Sequence, residues 1–165
     1  MLLVLLVAAG CASQAPQAAG HAPHRWQAAS GPGVGGDRMK RLAADYLAIA
    51  LPANRRLDHE VDAYKDHAHD SLTVAESALR AEAATERQFD QLLLRIPFPA
   101  AIAATAHDLV RVNQDRIGLT ERQAQVATIA SLLSFTIAHK AADAVVEVQV
   151  RIIRRELGLP PPENS

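Results

Sequence analysis

The chain has 165 residues, room for one domain plus extensions, and a formal net charge of -1. Lys and Arg are spread among Asp and Glu, which excludes the clustered basic face that a nucleic-acid-binding domain needs. Aromatics are only 4% of a chain that is 49% hydrophobic, so a core here is built from Ala, Leu, Val and Ile, and the one cysteine, Cys11, rules out an intrachain disulfide.

Residues 2–9 read LLVLLVAA, an apolar run of signal-peptide length, well short of the ~20 residues that cross a bilayer as a helix. Gly10 and Cys11 follow, and the composition then changes abruptly to Ser, Gln, Ala, Pro and Gly. The segment Ala8-Ala9-Gly10-Cys11 resembles the lipobox of bacterial lipoprotein signal peptides, in which small residues precede an acylated cysteine; Ala8 stands where Leu is favoured, and no Lys or Arg precedes the run. The resemblance implies a signal peptide over 1–10, cleavage before Cys11 and attachment of diacylglycerol to its thiol. Fatty-acyl chains such as palmitate would then anchor the protein to the extracytoplasmic face of the cell membrane. Two chains hold a protein stably there, since each buried CH₂ contributes about 0.8 kcal/mol.

Residues 11–36 carry the anchor cysteine and a stretch rich in Pro, Gly, Ala and Gln with no helical or strand period. They predict a disordered linker, with a root-mean-square span on the order of 25–30 Å as a coil. Trp26 is its one large side chain, and His21 and His24 are its only imidazoles.

From Asp37 to about residue 160 the pattern is helical throughout. Asp37 is a plausible N-cap for a first helix carrying Leu42, Tyr46 and Ile49 on one face. Pro52 predicts a kink or short break near 50–53. The helix resumes with Leu57, Val61, Tyr64 and Ala68 and turns near 67–71. Thr73 and Glu76 fit a capping box for a second helix that runs to about Ile96. Pro97 and Pro99 separate it from a third, in which Pro99 suits the first turn. The third helix's apolar face runs from Ile102 through Ile117, Ile129 and Leu133 to Ile137, with a bend at Gly118 and a recap at Thr120. The last helix carries Val145, Val148 and Ile152, and its terminal Arg151, Arg154 and Arg155 suit the helix dipole and solvent. Gly158 and Pro160–Pro162 stop it, leaving a tail at 161–165. About four helices joined by short connections predict an all-α, up-down antiparallel helical bundle with the first helix kinked near Pro52.

Three stretches, YLAIALPAN at 46–54, ATERQFDQLLLRIPFP at 84–99 and RIIRRELGLPPP at 151–162, resemble a group of uncharacterised secreted or lipidated proteins from high-GC actinobacteria. The resemblance covers most of the helical body. It implies an all-helical domain in a lipoprotein context and brings no activity with it.

The most suggestive polar cluster is His59, Asp62, Asp66, His67, His69 and Asp70. On one helix His59, Asp62, Asp66 and His69 or Asp70 recur at spacings of three and four, which puts imidazole and carboxylate on one face, as a divalent transition metal requires. The same spacing is that of the solvated face of an amphipathic helix whose other side carries Leu57, Val61 and Tyr64. A di-iron site needs Glu-x-x-His, and no Glu here is followed by His at that distance. His107-Asp108 and His139-Lys140 are isolated pairs. Ser71, Ser77, Ser131 and Ser134 lack a nucleophile-elbow setting. Asn54, Asn113 and Gln114 are candidates for buried groups that fix helix register.

The sequence therefore predicts a membrane-tethered extracytoplasmic lipoprotein of the cell envelope. It acts as a non-enzymatic interaction module with an unknown protein or small-molecule partner, and no nucleic acid. A metal-binding lipoprotein using residues 59–70 is the alternative.

Overall fold

The computed structural model describes residues 34–162. The expected signal peptide, Cys11 and the linker to residue 33 lie outside the described residues, as do Trp26, His21, His24 and the end of the tail. The described chain forms α1 (Val34–His67), α2 (Leu72–Leu93), α3 (Ala100–Gln123), a short α4 (Ile129–Leu133) and α5 (Thr136–Glu156), with no strand among the described residues. The all-α expectation holds.

Up-down order follows from two apolar clusters. One gathers Leu42 and Tyr46 of α1, Leu93 of α2, Ile102, Ala106 and Leu109 of α3, and Val150 and Ile153 of α5. It unites the start of α1, the end of α2, the start of α3 and the end of α5, which only alternating helix directions permit. The other joins Ala68, Ala75, Leu79, Ala124 and Leu132 at the opposite end. Tyr46 and Phe89 meet edge to face in the larger cluster, ring centroids 6.4 Å apart, a geometry aromatic rings favour.

Several helix limits differ from the sequence reading, each for a local reason. α1 is already helical at Val34, so Asp37 sits in its first turn rather than at its cap. The helix runs unbroken through Pro52, and no break falls at 50–53. Pro52 removes one N–H, while Ala50, Ala53 and Asn54 around it are buried against the rest of the bundle and hold the turn. The cap of α2 is Ser71, whose side chain makes no capping bond, so the Thr73–Glu76 box is not formed. α2 ends at Leu93 rather than near Ile96, because Pro97 disfavours helix in the residue before it. Pro99 stands at the N-cap of α3, one position outside it.

The predicted third helix divides in two. α3 passes through Gly118 and Thr120 without interruption and stops at Gln123. The Ala124 carbonyl then accepts from Arg80 Nη2 at 2.9 Å, and Gln123 Nε2 donates to Leu132 O at 2.9 Å. Two side chains thereby satisfy carbonyls around the fold-back. Thr128 has extended backbone and accepts from Ser131 N at 3.1 Å, capping α4. At the far end, Gly158 adopts φ +69°, with Leu159 N donating to Arg154 O at 2.8 Å and Gly158 N to Arg155 O at 3.0 Å. This is the Schellman termination expected from Gly158, and Leu159 packs on the core as the motif favours.

Candidate functional site

Between the two apolar clusters lies a belt of buried charge. On α2, Glu82, Glu86 and Asp90 recur every four residues in the interval between Leu79 and Leu93, so all three carboxylates point inward with the core stripe. Arg116 of α3 meets the first two: Nη2 donates to Glu82 Oε1 at 2.8 Å and Nη1 pairs with Glu86, while Nε donates to Asp143 Oδ1 of α5 at 2.6 Å. One guanidinium thus ties three helices together. Asn113 Nδ2 donates to Asp90 Oδ1 at 3.0 Å, and Thr85 donates to Glu60 of α1 at 2.8 Å, which brings the fourth helix into the belt.

Four carboxylates face a single cation in this layer, so they cannot all remain ionised cheaply. Burial pushes the Glu86 carboxyl up to about 8; Arg116 opposes the shift, and Glu82, Asp90 and Asp143 reinforce it. Burial likewise raises Asp90 to about 7 against its bond from Asn113. For Arg116 burial alone would lower the pKa, but Glu86, Glu82 and Asp143 outweigh it and hold the guanidinium above its ordinary value. His139, one turn before Asp143, is lowered by burial and by Arg116, so it is neutral at pH 7. Its Nε2 is buried with no hydrogen-bond partner.

Besides an open cleft of about 390 Å³ lined by Arg87, Asp90, Gln114 and Glu121, two further spaces border the belt. A small cavity of about 30 Å³ lies among Asn54, Glu86, Phe89, Asn113 and Val146. That volume accommodates one or two waters, and its polar walls suit them. An open cleft of about 300 Å³ is lined on its polar side by Tyr64, Glu82, Arg116, Gln123, His139 and Asp143. Most of these groups already serve one another. Arg116 holds Glu82 and Asp143, and Gln123 Nε2 donates to Tyr64 Oη at 2.9 Å as well as to Leu132 O. The groups left to a bound molecule are therefore the His139 imidazole and the ammonium groups of Lys65 and Lys140, which also line the cleft.

The His/Asp segment does not assemble as a metal site. Among the described residues no group of three or more His, Cys, Asp or Glu side chains is arranged to hold a metal. His59, Asp62, Asp66, His69 and Asp70 are exposed. Asp62 lies 3.9 Å from Lys65, and His67 Nδ1 lies 3.5 Å from Asp70. The turn at 68–70 separates the last residues from the helical row, so the periodic stripe faces water. Of the three register candidates, Asn54 and Asn113 are buried, while Gln114 is exposed. Ser131 and Ser134 bond within their own turn.

α5 departs furthest from its sequence reading. Arg154, expected in solvent, is 1% exposed; its Nε donates to Pro160 O at 2.7 Å and it lies beside the Tyr46 phenol. Burial pushes that phenol up to about 12, with Arg154 pulling the other way. Ile137, expected on the apolar face, is 83% exposed, and Val145 and Val148 are 50% and 45% exposed. These three continue with exposed Ala141 and Ala144 as an outward stripe.

Compared with known proteins, the chain matches no family model, no curated protein and no solved structure.

Proposed function

We propose that the chain is a bacterial extracytoplasmic lipoprotein, tethered to the cell membrane through acylated Cys11, whose helical body is a non-enzymatic interaction module. The observation that carries the module reading is the outer face of α5. α5 buries one side on α3 and leaves the apolar side chains of Ile137, Val145 and Val148 outward. A contiguous apolar face on a small bundle marks a surface that engages something else. The belt supports the same reading, since its charged groups bind one another in a layer that joins the helices. The tether rests on the sequence at 2–11, where an apolar run ends in Ala8-Ala9-Gly10-Cys11. The segment at 59–70, with its side chains in solvent or paired two by two, receives no metal role.

Mass spectrometry of the native protein extracted from membranes tests the tether. The expected chain starts at Cys11 and carries the mass of a diacylglyceryl group. Cys11→Ser should move the protein out of the membrane fraction. A native chain with residues 1–10 attached and an unmodified thiol refutes the tether.

A further inference from the structure

We infer that the outer face of α5 docks on an anionic lipid surface. The sorting of charge along this helix is the first observation. Its exposed outer positions hold the apolar stripe together with Arg151 and Arg155, and no exposed carboxylate, while Lys140 lies at the flank beside the cleft. The three acids of α5 are all turned away from that face. Asp143 is bound to Arg116, Glu147 is partly buried and lies 3.5 Å from Arg151 at the flank, and Glu156 is partly buried. An apolar stripe that ends in cations, with acids withdrawn, is the composition of a helix that lies in a bilayer interface rather than of one that seeks a basic or neutral protein groove.

The second observation concerns composition against burial. The α4–α5 stretch, residues 129–156, is long and apolar enough to belong in a membrane, yet only 11% of its most apolar window is buried. The helix does not cross a bilayer here, because its other side is committed to the bundle through Val146, Val150 and Ile153. What remains is a helix half in a protein core with its free half suited to headgroups and acyl tails.

The third observation is where the chain enters the bundle. The start of α1 and the end of α5 share the larger apolar cluster, so the polypeptide arriving from Cys11 joins the body at the end that displays Arg151 and Arg155. Residues 12–33 separate Cys11 from Val34, a reach of at most about 75 Å. An anchor at Cys11 would therefore keep this face at high effective concentration near the bilayer. Small residues Ala141 and Ala144 at the centre of the stripe let the helix axis settle close to the interface. In this respect the inference rests on the tethered-module reading. The face itself stands without it.

The test uses the full chain with Cys11→Ser, so that no acyl group contributes. Co-sedimentation is measured with vesicles of phosphatidylcholine alone and of phosphatidylcholine with 30 mol% phosphatidylglycerol. Binding is expected to the anionic vesicles at least tenfold above the neutral ones, and to weaken with added salt. Val145→Glu with Val148→Glu should abolish it, and Arg151→Gln with Arg155→Gln should reduce it about tenfold. All four side chains are exposed, so circular dichroism and Tm should stay unchanged. Equal binding to both vesicle types, no binding, or no effect of the Glu variants overturns the inference. So does a sedimentation-velocity dimer that dissociates on Val148→Glu, which would assign the face to a second copy of the chain. If the Cys11→Ser chain binds anionic vesicles while native Cys11 carries no lipid, the face stands and the tether falls. The reverse result keeps the tether and removes the face.

Discussion

The belt between α2, α3 and α5 and the outer face of α5 invert the usual arrangement. Charge lies inside, where Arg116 gathers Glu82, Glu86 and Asp143, and aliphatic side chains lie outside at Ile137, Val145 and Val148. The two regions meet on one helix, since Asp143 points into the belt only two residues before Val145 points away from it. The difference separates two uses of α5. Its inner face specifies the register of the bundle through a fully directional contact, and its outer face contributes little to folding and is free to serve a partner. If so, perturbing the belt should change stability and perturbing the face should not.

The largest effect is expected at Arg116. Arg116→Met leaves Glu82 and Asp143 without their cation, beside a largely protonated Glu86, and should destabilise by about 3–5 kcal/mol at pH 7, read by urea denaturation. The same variant should recover much of that loss near pH 5, where the carboxyls can take up protons. A loss that is equal at both pH values would mean that the guanidinium acts through packing alone.

Next comes the pH dependence of the unaltered chain. Glu86 and Asp90 have folded pKa values of about 8 and about 7, above their ordinary values, so the folded state binds more protons than the unfolded chain. Their stability contribution is fully present below about pH 4 and is lost as pH rises through 7 to 8. His139 works in the opposite sense, since its lowered pKa removes stability as pH falls below its ordinary value. Two carboxyls outweigh one imidazole, and Tm should fall between pH 6 and pH 9, on the order of 10 °C. Glu86→Gln should flatten that slope. A Tm that rises over this interval contradicts the buried-acid account.

Gly158→Ala should cost about 1 kcal/mol, because a Cβ disfavours the φ of +69° that ends α5, while its Cβ would meet nothing nearby. The smallest effect belongs to the outer face: Val148→Ser should alter stability by less than about 0.5 kcal/mol. A cost several times larger would show that this face is part of the core, and the contrast between the two regions would disappear.

Much of the bundle was legible in the sequence because helix and turn chemistry are local. The turn at 68–70, the Pro97–Pro99 connection and the Gly158 termination all carry residues whose backbone preferences decide the outcome. The break after Gln123 carried no such residue. The apolar period runs on through Val126 and Ile129, and the fold-back is stabilised by Arg80 and Gln123, two long side chains whose tertiary partners no local pattern reveals. The continuity of α1 through Pro52 is the converse case, a local breaker overridden by burial of its neighbours.

The belt was missed for a different reason. In the imidazole-rich segment at 59–70, spacing of three and four describes a solvated face as well as a ligand row. Glu82, Glu86 and Asp90 showed the same regular spacing inside an interval bounded by Leu79 and Leu93, and that coincidence with the core stripe was the available signal. For α5 the sequence could not choose. With Val145, Val146, Val148, Val150, Ile152 and Ile153 spread over a broad arc of the helix, only packing determines which part is covered.

The most direct measurement places a polarity-sensitive fluorophore on the outer face, at Val148→Cys in a Cys11→Ser background, and compares it with the same label at Gln88→Cys on exposed α2. On addition of vesicles containing phosphatidylglycerol, emission from position 148 should shift to the blue while that from position 88 stays in place. Emission that is unchanged at 148, or that shifts equally at both positions, would contradict the assignment of this face to the membrane surface.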